Sequence, residues 1–184
     1  MKKKKPTNRN IEFIKGIVTD LGEATLDSLE AFVFSSGSAK ILARNMGMNE
    51  AKYYSSMQSL KKSGYIKKIN EDQFLITPKI MIRLAENEIL ASDWDPEKWD
   101  GSWRIVSFDI PEPKKRERNI FRSIIKRKGF LGIQNSVFIA PFADFKQLAK
   151  LRAHLDIEKY ISFFIAKSAE TDDDQLLKKR FGLK

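Results

Sequence analysis

Apolar residues at Ile11, Ile14, Val18 and Leu21 recur at helical spacing and predict a helix over 11–21, broken by Gly22. Thr25 is placed to cap a second helix running to about Phe34, with Leu26, Leu29, Phe32 and Val33 on one face, and Ser35 to Ser38 end it. A short helix from Ala39 to Met46 follows, Ile41 and Leu42 inward. Gly47-Met48-Asn49 reads as a tight turn, Asn49 as the N-cap of a helix over Glu50–Ser63, and Gly64 as its left-handed C-cap. In that helix Ala51, Tyr54, Met57 and Leu60 recur every third residue and are assigned to the core. Lys52, Tyr53, Ser55, Ser56, Ser59 and Lys62 form the opposite, polar face, with no acid after Glu50. Tyr65–Ile69 and Gln73–Ile76, around Asn70-Glu71-Asp72, predict a short hairpin. Thr77-Pro78 opens a capped helix with proline at its first position, continuing through Ile80, Leu84 and Ile89 to about Leu90.

The second half changes rhythm. Trp103–Ile110 is a nearly continuous apolar strand. Pro111 and Pro113 flank Glu112 and open a helix to about Lys128, with Ile120, Phe121, Ile124 and Ile125 as its buried stripe and Gly129 as its end. Lys114, Lys115, Arg116, Arg118, Arg122, Lys126, Arg127 and Lys128 fill the rest of it. Phe130–Pro141 gives one long strand, or two broken near Gly132 or Asn135. Asp144 caps a helix carrying Phe145, Leu148, Leu151 and Leu155, and Ile157–Ala166 is the last strong strand. A charged stretch over Asp172–Lys184 is expected to form a short helix.

These elements divide the chain into a basic tail over 1–10, a first domain over 11–91, a linker over 92–102 and a second domain over 103–184. Trp94 and Trp99 in the linker are expected to pin the domains together. The first domain has the element order of a winged helix-turn-helix. The second, β-α-β-β-α-β, has that of a ferredoxin-like fold, so the expected class is α+β.

Composition narrows the chemistry. The 184 residues carry 34 Lys/Arg against 24 Asp/Glu, a formal charge of +10, which points to a polyanionic partner. There is no cysteine, so disulfides, thiolate nucleophiles and cysteine-based zinc sites are excluded. His154 is the single histidine, which excludes multi-histidine metal sites and histidine dyads. Lys2–Lys5 are followed by Pro6-Thr7-Asn8-Arg9-Asn10 where a signal peptide would be apolar, and no run of about 18 apolar residues exists. A soluble, cytoplasmic protein without membrane partners is expected.

A helix of this length fits the major groove when its outward face is small, polar and not acidic, and a hairpin beside it reaches neighbouring phosphates. Double-stranded DNA is therefore the expected partner. The base-edge or groove contacts assigned here are Lys52, Tyr53, Ser55, Ser56 and Ser59, with Asn49 at the helix start. Lys40, Arg44, Lys61, Lys62, Lys67 and Lys68 are assigned to phosphates.

Trp99-Asp-Gly-x-Trp103, Ser107-Phe-Asp-Ile-Pro-Glu112 and Lys128-Gly-Phe130 resemble the PaaX family of phenylacetate-repressor transcriptional regulators, over roughly residues 10–170. Phe108-Asp-Ile110 and Gln134-x-Ser-Val-Phe138 also resemble the small CRISPR-associated ferredoxin-like nuclease, to which the repressors' central domain is related. The resemblance implies a homodimeric, DNA-binding regulator, expected to repress, with no cofactor and with its small-molecule effector unassigned. At Asp109 it places the nuclease's metal-binding aspartate, two of which across a two-fold axis would share Mg²⁺. The residues themselves give Asp109 a plainer role, capping the helix at Pro111-Glu112. Three readings follow: a regulator; a Mg²⁺-dependent endonuclease using Asp109; or a non-enzymatic DNA-binding adaptor in a CRISPR-like or mobile-element complex.

Overall fold

The computed structural model describes residues 8–21, 32–92, 95–167 and 174–183. Among them lie seven α-helices and two antiparallel sheets, in two compact units, Met1–Leu84 and Ala85–Lys184.

In the first unit the order is α1 (Asn8–Leu21), β1 (Phe32–Ser35), α2 (Ser36–Asn45), α3 (Glu50–Ser63), β2 (Ile66–Lys68), β3 (Gln73–Ile76) and α4 (Pro78–Ala91), the last running on into the second unit. α1 begins inside the stretch expected to be a tail and buries Asn10 with Ile11, Phe13, Ile14, Ile17 and Val18. The helix expected to start at Thr25 falls mostly outside the described residues, but its last residues are a strand. Phe32, Val33 and Phe34, aromatic and β-branched, pair antiparallel with Ile76, Leu75 and Phe74. The Phe34 and Phe74 rings stack at 5.6 Å.

Ser35 does not end a helix. It starts α2, its Oγ accepting from the Ser38 N–H at 3.0 Å. That earlier start sets the core phase to Ala39, Leu42 and Ala43 and leaves Ile41, expected inward, 62% exposed. The hairpin β2–β3 lies where the pattern put it, in a three-stranded sheet ordered β1-β3-β2.

In the second unit β4 (Trp103–Phe108), α5 (Lys115–Lys128), β5 (Leu131–Gln134), β6 (Val137–Ala140), α6 (Phe145–His154) and β7 (Ile161–Ala166) follow in order, then α7 (Asp174–Phe181). The sheet is ordered β5-β6-β4-β7, every pair antiparallel, with β4 central. The break after β5 falls at Asn135-Ser136. Alternation along β4 sends Val106 and Phe108 to one face and Trp103 and Ile105 to the other. On the first, Phe108 meets Phe121 of α5 at 5.9 Å and stacks on Phe138 at 5.7 Å. On the second, Trp103 packs with Ile139, Leu177 and Leu183, its ring 5.1 Å from Trp99 and 5.8 Å from Phe181.

Three expectations change here. Trp99 belongs to this second core, its indole N–H donating to the Ser102 carbonyl at 3.0 Å, and Trp94 lies outside the described residues. The last strand starts at Ile161 because a one-turn 3-10 helix, Glu158–Tyr160, intervenes. Asp109 does not cap the following helix. A 3-10 turn over Glu112–Lys114 leads into α5, neither start carries a side-chain cap, and the exposed Asp109 instead donates its backbone N–H to the Tyr160 carbonyl at 2.9 Å.

Arg104 grips Asp100 through two bonds of 2.7 Å, and this hydrogen-bonded guanidinium holds the Asp100 carboxyl at about 2. The folded value lies below the ordinary 3.8, so this pair's stabilisation is complete above the ordinary value and is lost as pH falls through about 2. Asp100→Asn should therefore lower the urea midpoint near neutral pH and lose part of the decline between about pH 4 and pH 2. Identical pH dependence in both proteins, measured by urea titration, would refute the assignment.

Candidate nucleic-acid interface

α3 is built by its ends. The Asn49 side chain accepts from the Lys52 N–H at 3.0 Å, and Gly64 closes the helix at φ +73°, its N–H reaching the Leu60 and Lys61 carbonyls. Between these caps the buried stripe is Tyr53, Ser56, Met57, Leu60 and Ser63. This is i, i+3, i+4, i+7, i+10 spacing, the true helical phase.

The expected core stripe at 51, 54, 57 and 60 is thus corrected. A strict three-residue step turns only 300°, so four such positions spread halfway around the helix. Tyr54 is 48% exposed and Ala51 is exposed, whereas Tyr53 is 4% and Ser56 5% exposed. Tyr53, assigned to base contacts from the sequence, is a core residue. Its ring meets Phe13 edge-on at 6.1 Å, and its hydroxyl donates to the Ser36 carbonyl at 3.3 Å. Burial pushes its phenol pKa up.

The outward ridge of α3 is therefore Ala51, Tyr54, Ser55, Gln58, Lys61 and Lys62, with two clefts beside it. On one side a cleft of about 340 Å³ is shared with α2 and the hairpin and brings together Lys40, Tyr54, Lys61 and Lys68. The Lys40 ammonium lies 5.3 Å from the Tyr54 ring centre, and its pKa is raised, first by hydrogen bonding to the Tyr54 hydroxyl. On the other side a cleft of about 470 Å³ gathers Asn49, Lys52, Ser55, Ser56 and Ser59 with Arg9 of α1. Arg44, Lys62 and Lys67 are exposed outside both.

The hairpin tip is fixed from within. Asn70 Oδ1 accepts from the N–H groups of Asp72 (3.0 Å) and Gln73 (2.9 Å), an Asx-type turn. The tip is tied to the start of α2, where the Ser36 N–H reaches the Asp72 carbonyl at 2.7 Å and the Ser36 hydroxyl bonds its carboxylate. Lys68 pairs with Glu71 at 2.9 Å, which holds Glu71 below the usual carboxylate range. Lys68 therefore offers less charge to a ligand than Lys67.

Sequence reasoning passed over Tyr54, Gln58 and Arg9. The phase of Met57 and Leu60, continued to Tyr53, carried the signal for the first two. Arg9 was hidden by the late start given to α1.

At the second candidate centre, Asp109 stands without a ligand set. Glu112, its nearest acidic neighbour in sequence, is held by Lys115 and Arg118 at 2.7 Å each, which keeps its pKa at about 2. Among the described residues no group of three or more His, Asp or Glu is placed to hold a metal ion. Asp172 and Asp173 lie outside those residues.

Tyr53→Ala is expected to cost about 3 kcal/mol of stability, as for truncation of a large buried aromatic. Asn49→Ala should cost about 1 kcal/mol through the lost cap. Urea unfolding measures both, and a Tyr53→Ala protein as stable as wild type would contradict the phase given for α3.

No curated protein sequence matches the chain. No helix among the described residues is long and apolar enough to cross a membrane. Residues 96–177 match the family model of the PaaX protein central Cas2-like domain, which spans the whole β4–β7 sheet with α5 and α6. This segment of the chain is thus similar to the central domain of PaaX proteins.

Proposed function

We propose that this protein is a sequence-specific, double-stranded-DNA-binding transcriptional regulator that acts as a homodimer and represses. The observation that carries the reading is the outward ridge of α3. It presents Ser55, Gln58, Lys61 and Lys62 with no carboxylate, next to a hairpin exposing Lys67. On this reading the first unit is a winged helix-turn-helix, supported by the order α1-β1-α2-α3-β2-β3, and α3 is its recognition helix. The second is a ferredoxin-like domain, supported by β-α-β-β-α-β connectivity and the sheet order β5-β6-β4-β7.

Gln58 takes the central role in base recognition, because a carboxamide pairs its donor and acceptor with N7 and N6 of adenine. Ser55 and Tyr54 flank it, and Lys52 and Ser59 reach the groove edge from the second cleft. Lys40, Arg44, Lys61, Lys62 and Lys67 take phosphates. Dimerisation is supported by the exposed Phe164 and Ile165 on β7, the edge strand of the sheet among the described residues. A two-fold dimer reads a palindromic operator with two copies of α3. The repressive sign comes from the resemblance to phenylacetate repressors.

Selection from randomised duplex DNA, with and without Mg²⁺, tests the reading. The expected result is an enriched palindrome recovered uncut. Gln58→Ala should relax preference at one position of each half-site, by about 1–3 kcal/mol. Lys62→Ala should weaken all duplexes alike and flatten the salt slope by about one unit. Mg²⁺-dependent cutting lost in Asp109→Ala would replace the regulator with a nuclease. Binding without any motif would favour an adaptor.

A further inference from the structure

The cations of α5 differ in how they are held, and Arg116 is exposed away from the cleft described below. Lys115 and Arg118 are tied to Glu112, Arg127 bonds Glu86, and Lys128 bonds the Ser92 carbonyl. Arg122 and Lys126, one turn apart on the same side of the helix, have no carboxylate partner among the described residues. Both line a cleft of about 400 Å³, whose opposite wall is Gly132, Gln134 and Asn135 of the β5–β6 hairpin, and no acidic side chain borders it.

The two cations are oriented. The Arg122 guanidinium lies 5.6 Å from the Phe108 ring centre and the Lys126 ammonium 5.8 Å from that of Phe138. Those rings are buried and stacked within 12° of parallel, so the floor beneath both charges is rigid. Arg122 is further pinned by its Nη2, which donates to the Asn135 carbonyl at 2.9 Å, while its buried Nε–H has no acceptor among the described residues. Gly132 keeps the far wall low: a Cβ there would stand 3.2 Å from the Phe138 ring. A solvated lysine-arginine face has no need of an aromatic floor, a pinned guanidinium or a clear space in front of it.

We infer that this cleft is a phosphate-binding site, in which Arg122 and Lys126 share the oxygens of one tetrahedral phosphate and the side-chain amides of Gln134 and Asn135 supply neutral donors at its rim. The guanidinium fork and the point-charge ammonium complement each other on such a group. The phosphate comes either from the backbone of a bound duplex or from a free phosphomonoester. The site lies wholly in the second unit and stands without the α3 reading.

The test uses the full chain and two probes. Inorganic phosphate is titrated while ¹H–¹⁵N spectra follow the Arg122 Nε–H and the Gly132 and Asn135 amides. Saturable shifts are expected, lost in Lys126→Gln and retained in Arg116→Gln, which removes another cation of the same helix outside the cleft. A duplex of arbitrary sequence is then titrated against salt. If the phosphate comes from DNA, Arg122→Gln and Lys126→Gln each lower the slope by about one unit. Phosphate shifts with an unchanged duplex slope assign the site to a free phosphomonoester. Arg122 packs on Phe108, so if Arg122→Gln melts early the exposed Lys126→Gln decides alone. Absence of shifts together with an unchanged slope overturns the inference, whether or not α3 binds DNA.

Discussion

Tyr53 sits edge-on to Phe13 with its hydroxyl bonded to the Ser36 carbonyl, and that single buried ring sets how the first unit faces its surroundings. It couples α3 to α1 by packing and to the start of α2 by a hydrogen bond. An edge-to-face aromatic pair contributes on the order of 1 kcal/mol beyond its buried area. The geometric consequence is larger than the energetic one. With Tyr53, Ser56, Met57 and Leu60 inward, Tyr54 and Gln58 must point out, and Lys61 and Lys62 follow one turn later. The same contact brings Ser36 into place for its bonds to Asp72, so the orientation of α3 and the position of the hairpin tip are parts of one arrangement.

The second unit uses charge differently. Its sheet carries apolar side chains on both faces, packed by α5 and α6 on one and partly covered by α7 on the other. Most cations there have structural partners: Arg104 holds Asp100, Lys114 bonds Asp156, and Arg118 ties Glu112 to the Ile110 carbonyl. Such pairs, with exposed carboxylates, each contribute modestly to stability. Their value is in consuming charge, which leaves Arg122 and Lys126 as the cations presented together over a cleft. A net charge of +10 is therefore not spread evenly as available potential. Among the described residues, cations without a carboxylate partner stand together at the α3 ridge in one unit and over the Phe108–Phe138 floor in the other.

Much of this was legible from sequence because caps and turns are local. Asn49 and Gly64 bracket α3, Asp144 starts α6, and Asn70 shapes the hairpin, each through chemistry confined to three or four residues. The motifs around Trp99–Glu112 likewise pointed to the domain that the family match confirms. What failed was non-local. Phe32–Phe34 have apolar positions compatible with a helix, and only pairing with β3, some forty residues on, makes them a strand. The rotation of α3 was misread because Ala51 and Tyr54 extend a three-residue repeat that a helix does not have, while Tyr53 looks like a polar-face residue until Phe13 is placed against it. Trp99 was given to the linker for want of Trp103 and Phe181, its partners in the second core. Asp109 was given a capping role that the intervening 3-10 turn takes away.

The absence of cysteine makes the orientation of α3 directly measurable. Single substitutions Gln58→Cys and Lys62→Cys on the ridge, with Ala153→Cys on α6 as reference, would be labelled with a maleimide in the presence and absence of a bound duplex. The account predicts strong protection by DNA at 58 and 62 and unchanged labelling at 153. Equal labelling at 58 with and without bound DNA would contradict it, since the duplex would then be held by another surface.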